Sequence, residues 1–192
     1  MGRVQGAVSY DFKAGIGTSS RRVKLSGREI HVGTLVLANH GSRHQLCIRG
    51  VPVGKYITAN PIKKHDTGSI VGIIATDAPL LPHQLKRLTR RAYLGLARTG
   101  AISSDRSGDF FIAFSTANKV DMEPSQTLTA QWIPNSWLDP VFEAILQAVE
   151  EAIINSLVAA KPMKGYNDHY VTAIPKKYVS EIFKTSNPKE RH

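Results

Sequence analysis

The chain of 192 residues has the size of one ordinary domain or of part of a larger one. Its 42% hydrophobic content is enough to build a core, and 25 Lys and Arg against 15 Asp and Glu give a net charge of +10. A single cysteine, Cys47, excludes an internal disulfide, and no run of about 18 apolar residues is present to span a membrane. The positive excess favours acidic partners by long-range steering. The basic residues are nevertheless scattered in pairs, at 21–22, 63–64, 86–87, 90–91 and 176–177. There is no zinc-finger spacing, no Lys/Arg tail and no aromatic-basic interleaving, which argues against nucleic acid as the partner. The N-terminus MGRVQGAVSYDFKAG has no apolar secretory core, so the cytoplasm is the default setting for the sequence as it stands.

Taken in chain order, residues 1–30 are rich in Gly, Ser and charge. Gly15 and Gly17 flank Ile16 in a way that suits a bend or a close approach of backbone to another element. HVGTLVLANH (31–40) reads as a strand, and HQLCIRGVPVG (44–54) as a second strand paired to it through the NHGSR turn, with Cys47 in its core. The polar stretch 56–68 reads as an exposed linker. SIVGIIAT (69–76) is apolar at nearly every position, which predicts a strand buried on both faces. From Pro82 the period changes to that of a helix, with Leu85, Leu88, Ala92 and Leu96 on one face and Lys86, Arg87, Arg90 and Arg91 on solvated sides.

A polar loop (99–108) leads into DFFIAFSTAN (109–118), another strand. A less regular piece follows, and then the longest helix, 139–160. Asp139 is expected as its N-cap with Pro140 at the first helical position. Phe142, Ile145, Val149, Ile153 and Leu157 mark its buried stripe. The tail holds one short helix and then a polar end. The order predicts an α/β fold in which helices cover a sheet.

Gly68-Ser69, at the mouth of the 69–76 strand, is the pair that carries chemistry. A serine hydroxyl is a weak nucleophile without a base, and no G-x-S-x-G elbow surrounds Ser69. Cleavage of the Gly68–Ser69 bond would solve this, because the α-amine of a new N-terminal Ser69, with a free pKa of about 7.7–8.0, is a general base at neutral pH. The same hydroxyl can make the cut by attacking the Gly68 carbonyl, and glycine on the acyl side offers least steric resistance. A plain turn is the competing reading.

Five stretches decide the weighting: GIGTSSR (15–21), VGTLVLANHG (32–41), GVPVG (50–54), GSIVGIIATDAPLLPHQLKRLTRRAYLGLARTG (68–100) and SGDFFIAFSTAN (107–118). With them the chain resembles the autoprocessing N-terminal-serine aminopeptidases, the D-aminopeptidase/esterase and β-peptidyl aminopeptidase group of peptidase family S58. The resemblance implies a layered α-β-β-α sandwich like that of N-terminal-nucleophile hydrolases. It also implies processing between 68 and 69 into 1–68 and 69–192, and hydrolysis of N-terminal residues, including D- or β-amino acids, from peptides, amides or esters through an acyl-enzyme.

On matching positions the resemblance makes Ser69 the nucleophile, Ser107 and Asp109 the pair that orients it and its amine, and Asn39 an oxyanion donor. The acid is Asp where the family has the longer Glu. No metal or organic cofactor is called for, because the serine and its own amine suffice, and the resemblance further implies a homo-oligomer of processed chains. Relatives are near twice this length, so the chain reads as the C-terminal portion of the family's single domain. An inactive relative or scaffold, and an N-acyltransferase with related autoprocessing, are the alternatives. Asp77 is open to two readings, a turn cap or a pocket lining. His40, His44, His65 and His83 lack the spacing of metal ligands and read as structural or surface residues.

Overall fold

Side chains along an extended strand alternate between its two faces, and two long strands whose burial alternates organise this chain. The computed structural model describes residues 6–57, 68–119, 123 and 126–185. A short antiparallel hairpin comes first, β1 (Val8–Ser9) with β2 (Phe12–Lys13). β3 (Ile16–Leu25) and β4 (Arg28–Asn39) follow, then the single-turn helix α1 (Val53–Tyr56), β5 (Ser69–Thr76), α2 (Pro82–Arg98) and β6 (Phe110–Ser115). α3 (Asp139–Val158) is the longest helix. β7 (Met163–Lys164), β8 (Tyr170–Val171) and α4 (Lys176–Thr185) end the described chain. Among the described residues no helix is long and apolar enough to cross a membrane.

The main sheet has the order β3-β4-β5-β6, antiparallel except for the parallel β5–β6 pair. α2 and α3 cover one face of it, with α3 lying across β3 and β4 and against α2. The core between the layers joins Val32, Val36, Ile70, Ile74 and Phe111 of the sheet to Leu88 and Leu96 of α2 and to Ile145, Val149, Ile153 and Leu157 of α3. This is one sheet and one helical layer of the expected sandwich.

The opposite sheet face is uncovered among the described residues. Leu35, Val71, Ile73, Phe110, Ile112 and Phe114 stand on it, between 38% and 55% exposed. β5 is therefore central, as its composition predicts, but only one of its faces is buried. Its pattern alternates because side chains on a strand alternate between faces.

Three local expectations are corrected. The partner of β4 across its free side is β3, not 44–54. Residues 16–25 are polar without a break from Thr18 to Arg22 and alternate only in exposure, as an edge strand with one wet face does, which a search for apolar runs passes over. Residues 44–54 instead hold a 3-10 turn (Arg43–Gln45), an isolated bridge between Ile48 and Val51, and α1. Cys47 is half-buried there and its N–H donates to the Thr99 carbonyl (2.9 Å). The N-cap of α3 is Leu138, so Asp139 sits inside the first turn, where its charge still favours the positive end of the helix. Two of the arginines expected on the solvated side of α2 also pack, with Arg87 and Arg91 stacking over the Phe142 ring at 5.1 and 4.2 Å. The linker 58–67 lies outside the described residues.

Of the two readings of the 14–22 glycines, close approach is the one realised. A Cβ on Gly17 would fall on the Ala152 carbonyl oxygen and against the Ser156 N–H, so α3 rests directly on the β3 backbone. Asn155 Nδ2 donates to Thr18 O (2.9 Å), and Arg21 pairs with Glu151 (2.6 Å), on the same seam. Gly17→Ala must push the helix off the strand and is expected to lower stability by about 1–3 kcal/mol, the usual cost of overpacking. Urea unfolding of the variant against the parent checks this.

Candidate active site

The site begins with a register. β4 ends at Asn39 and β5 starts at Ser69, and the two residues are direct partners. Leu37 pairs with Val71 and Leu35 with Ile73, so by alternation Asn39 and Ser69 belong to the uncovered sheet face. Gly68 lies against the Asn39 backbone so closely that a Cβ would fall on the Asn39 carbonyl oxygen. Only glycine fits before this serine. The same Cβ position is 3.4 Å from Asn39 Nδ2, which puts the side-chain amide beside the Gly68–Ser69 segment.

The loop before β6 supplies the other wall. The Gly108 N–H donates to Ser69 Oγ (2.8 Å), which fixes the oxygen while leaving its own proton free to be given up. Asp109 Oδ1 accepts from Ser107 Oγ (2.6 Å) and from the Ile70 N–H (3.0 Å), and Tyr93 of α2 donates to the Asp109 carbonyl (2.9 Å). Burial by itself would raise the Asp109 pKa. Hydrogen bonds from Ser103, Ser107 and the Ile70 N–H, with the nearby charge of His40, outweigh it and hold the carboxyl below its ordinary value. The site thus has a fixed hydroxyl, an ionised acid bonded to the N–H of the next residue of β5, and a side-chain amide.

The structure brings all five sequence-selected residues, Asn39, Gly68, Ser69, Ser107 and Asp109, to one end of the β4–β5–β6 ridge. Sequence reasoning did not find the Gly108 N–H, Ser103 or Tyr93. It also missed the hairpin behind Asn39. Val8 N–H donates to Asn39 Oδ1 (2.9 Å), and Ser9 Oγ and Tyr10 N–H both donate to the His40 carbonyl (2.8 and 2.9 Å). Strands of two residues carry too little periodicity to be read. The one local signal was Asp11 in Tyr10-Asp11, a residue type tolerant of the positive φ that such turns need.

The histidines separate. His40 is buried edge-on to the Tyr10 ring (5.1 Å), His44 and His83 are exposed, and His65 lies outside the described residues. No group of three or more His, Cys, Asp and Glu among the described residues is placed to hold a metal ion. Asp77 follows directly on the C-terminal end of β5. Its carboxylate accepts from the His31 N–H (2.6 Å) and meets the His31 ring (2.8 Å), and it lines a groove with Trp132 and Trp137. That groove is at the far end of β5 from Ser69.

The charge state of Asp109 has a measurable consequence. Its folded pKa is depressed, so its contribution to stability is present above the ordinary value of 3.8 and is lost as the pH falls through the lower folded value. Asp109→Asn is expected to melt below the parent at neutral pH, with the gap closing below about pH 4. A gap that does not change with pH would contradict this assignment of the charge.

The family model of peptidase family S58 matches residues 1–171. The β-peptidyl aminopeptidase BapA of Sphingosinicella xenopeptidilytica is 40% identical over 96% of this chain and 50% of its own length. Among solved structures, the PH0078 protein of Pyrococcus horikoshii OT3 superposes with a TM-score of 0.89 at 44% identity, over 94% of this chain and 50% of that one. The L-aminopeptidase D-Ala-esterase/amidase of Ochrobactrum anthropi, a prototype of the serine aminopeptidases with a variant of the Ntn hydrolase fold, gives 0.88 at 41% identity, with the same coverage of 94% and 50%. The chain spans about half the length of the relatives it matches. With a family model covering most of its residues and relatives above 40% identity in both sequence and structure, the chain belongs to peptidase family S58.

Proposed function

We propose that this chain is the nucleophile-bearing part of a serine aminopeptidase or amidase that cleaves itself between Gly68 and Ser69. The observation that carries the reading is the enclosure of this bond: Gly68 is wedged on Asn39, Ser69 Oγ is held by the Gly108 N–H, and the Asp109 carboxylate stands next to it. In self-cleavage Ser69 Oγ attacks the Gly68 carbonyl carbon, and the C–N bond breaks as the acyl group moves to oxygen. The nitrogen takes up a proton to become the Ser69 amine, and one water hydrolyses the ester. The products are 1–68 with a free carboxylate and 69–192 with a free amine.

In the processed protein the amine accepts the hydroxyl proton as Oγ attacks a substrate carbonyl. The Asp109 charge stabilises the ammonium so formed, and Asn39 Nδ2 donates to the oxyanion. The acyl-serine is then hydrolysed, releasing an amino acid from a peptide, amide or ester. Val71 and Phe110, register partners on the open face next to Ser69, offer apolar contact to the substrate. Processing is a reaction of the chain itself, so it can be tested apart from substrate turnover.

Intact mass at neutral pH is the test. The parent is expected to give fragments of 68 and 124 residues, and Ser69→Ala a single uncut chain. Asn39→Ala is expected to slow the cut by roughly 10²–10³-fold, as loss of one oxyanion donor does elsewhere. A parent that stays uncut after a day, or a Ser69→Ala chain that is cut, would sink the proposal. Hydrolysis of an aminoacyl amide by the processed chain should fall as the pH drops below the amine pKa of about 8.

A further inference from the structure

Asn39 does its proposed work only if its amide faces the right way, and the orientation of an amide is set by what it touches. The group on its far side is the Val8 N–H, at 2.9 Å, which can only donate. Oδ1 must therefore face Val8, and Nδ2 is left on the side of Gly68. A main-chain group of the N-terminal hairpin selects one of the two amide orientations.

That hairpin is built at some cost. Its two-residue loop, Tyr10-Asp11, has φ of 51° and 59°, a conformation a bulky residue such as tyrosine rarely takes. Both residues are buried, at 0% and 1% exposure. Arg43 holds the loop from beneath. Its Nε donates to the Tyr10 carbonyl (3.0 Å) and Nη2 to the Asp11 carbonyl (2.7 Å), while its guanidinium stacks over Phe12 at 3.7 Å. Its own N–H donates to Asp11 Oδ2 (3.1 Å). The Tyr10 hydroxyl bonds Thr99 at the end of α2 (2.6 Å), and Lys13 Nζ donates to the carbonyls of Ala7 and Ala14 (3.0 and 2.6 Å). Strain kept in place by so many buried polar contacts, next to a candidate oxyanion donor, points to a positioning role.

We propose that the Val8–Lys13 hairpin, held by Arg43, is the positioning element of the site, and that its Val8 N–H locks the Asn39 amide with Nδ2 toward the Gly68–Ser69 bond. Val8 and Arg43 act through Asn39 and touch no reacting atom. The inference rests on the proposed self-cleavage where it names Asn39 as donor, but the lock itself is a property of the folded chain.

Two readouts keep the lock and the chemistry apart. In uncut Ser69→Ala protein, the side-chain amide protons of Asn39 are followed by NMR and assigned by their loss in Asn39→Ala. Val8→Pro, which removes the N–H and also fixes φ at about −65°, and Arg43→Lys, which leaves the Val8 backbone untouched, are each expected to speed their exchange by about tenfold or more. In the parent background the same substitutions should slow cleavage about 10–100-fold, well below the melting temperature and with the pH profile unchanged. A purely structural role would lower the melting temperature and leave the rate of the folded protein alone. Unchanged Asn39 exchange in both folded variants overturns the proposal, and so does a mobile Asn39 amide with unchanged cleavage. If the parent does not cut, the self-cleavage reading fails and the exchange readout alone decides this one. If neither hairpin variant folds, Val8 is read instead. Its amide should exchange slowly in the parent and in Asn39→Asp, which keeps the acceptor, and fast in Asn39→Ala; slow exchange in all three overturns the lock.

Discussion

The pairing of Asn39 with Ser69 is the constraint on which the rest depends. A strand has a period of two, so a slip of one residue between β4 and β5 would carry Ser69 to the helical side and Ile70 to the open side. The helical layer prevents that slip. Ile70 and Ile74 are fully buried against it, and so are Val32 and Val36 on β4. The hydrophobic core therefore sets the face on which the hydroxyl emerges. Gly68 completes the constraint at the strand mouth, where the Asn39 carbonyl leaves no room for any side chain.

Around that fixed pair the electrostatics follow from few groups. Asp109 accepts from two serine hydroxyls and one backbone N–H, which keeps it ionised despite partial burial. The Ile70 N–H that it accepts belongs to the residue after Ser69, so one contact ties the acid, the strand start and the loop before β6 together. The shorter Asp, where relatives were expected to carry Glu, is accommodated by this direct contact with the backbone. Among the described residues the open sheet face continues from Ser69 through Val71 and Ile73, so the site adjoins an apolar surface.

How much of this was legible follows from which signals are local. β5, α2 and α3 were readable because each is long and strongly patterned, and the stripe Phe142, Ile145, Val149, Ile153 and Leu157 is buried as its period requires. Gly68 and Ser69 drew notice as a dipeptide at a strand mouth, where a plain turn was the competing reading, and it was the family resemblance that singled them out together with Ser107, Asp109 and Asn39. β3 was not readable, because an edge strand with Thr18, Ser20, Arg22 and Lys24 on its wet face resembles a polar loop. The 44–54 segment misled for the opposite reason. Its apolar residues Leu46, Ile48 and Val53 are buried, but in turns whose backbone bonds run to Thr99 and within the segment. The hairpin escaped because its stability comes from Arg43, Thr99 and His40, which are distant in sequence.

The most direct measurement is a crystal structure of the uncut Ser69→Ala chain at a resolution that orders the Gly68 carbonyl. The account predicts Asn39 opposite residue 69, Oδ1 on the Val8 N–H, and Nδ2 within about 3 Å of the Gly68 carbonyl oxygen or of its position in the tetrahedral adduct. A one-residue register shift, or an Asn39 amide turned away from residue 68, would contradict it.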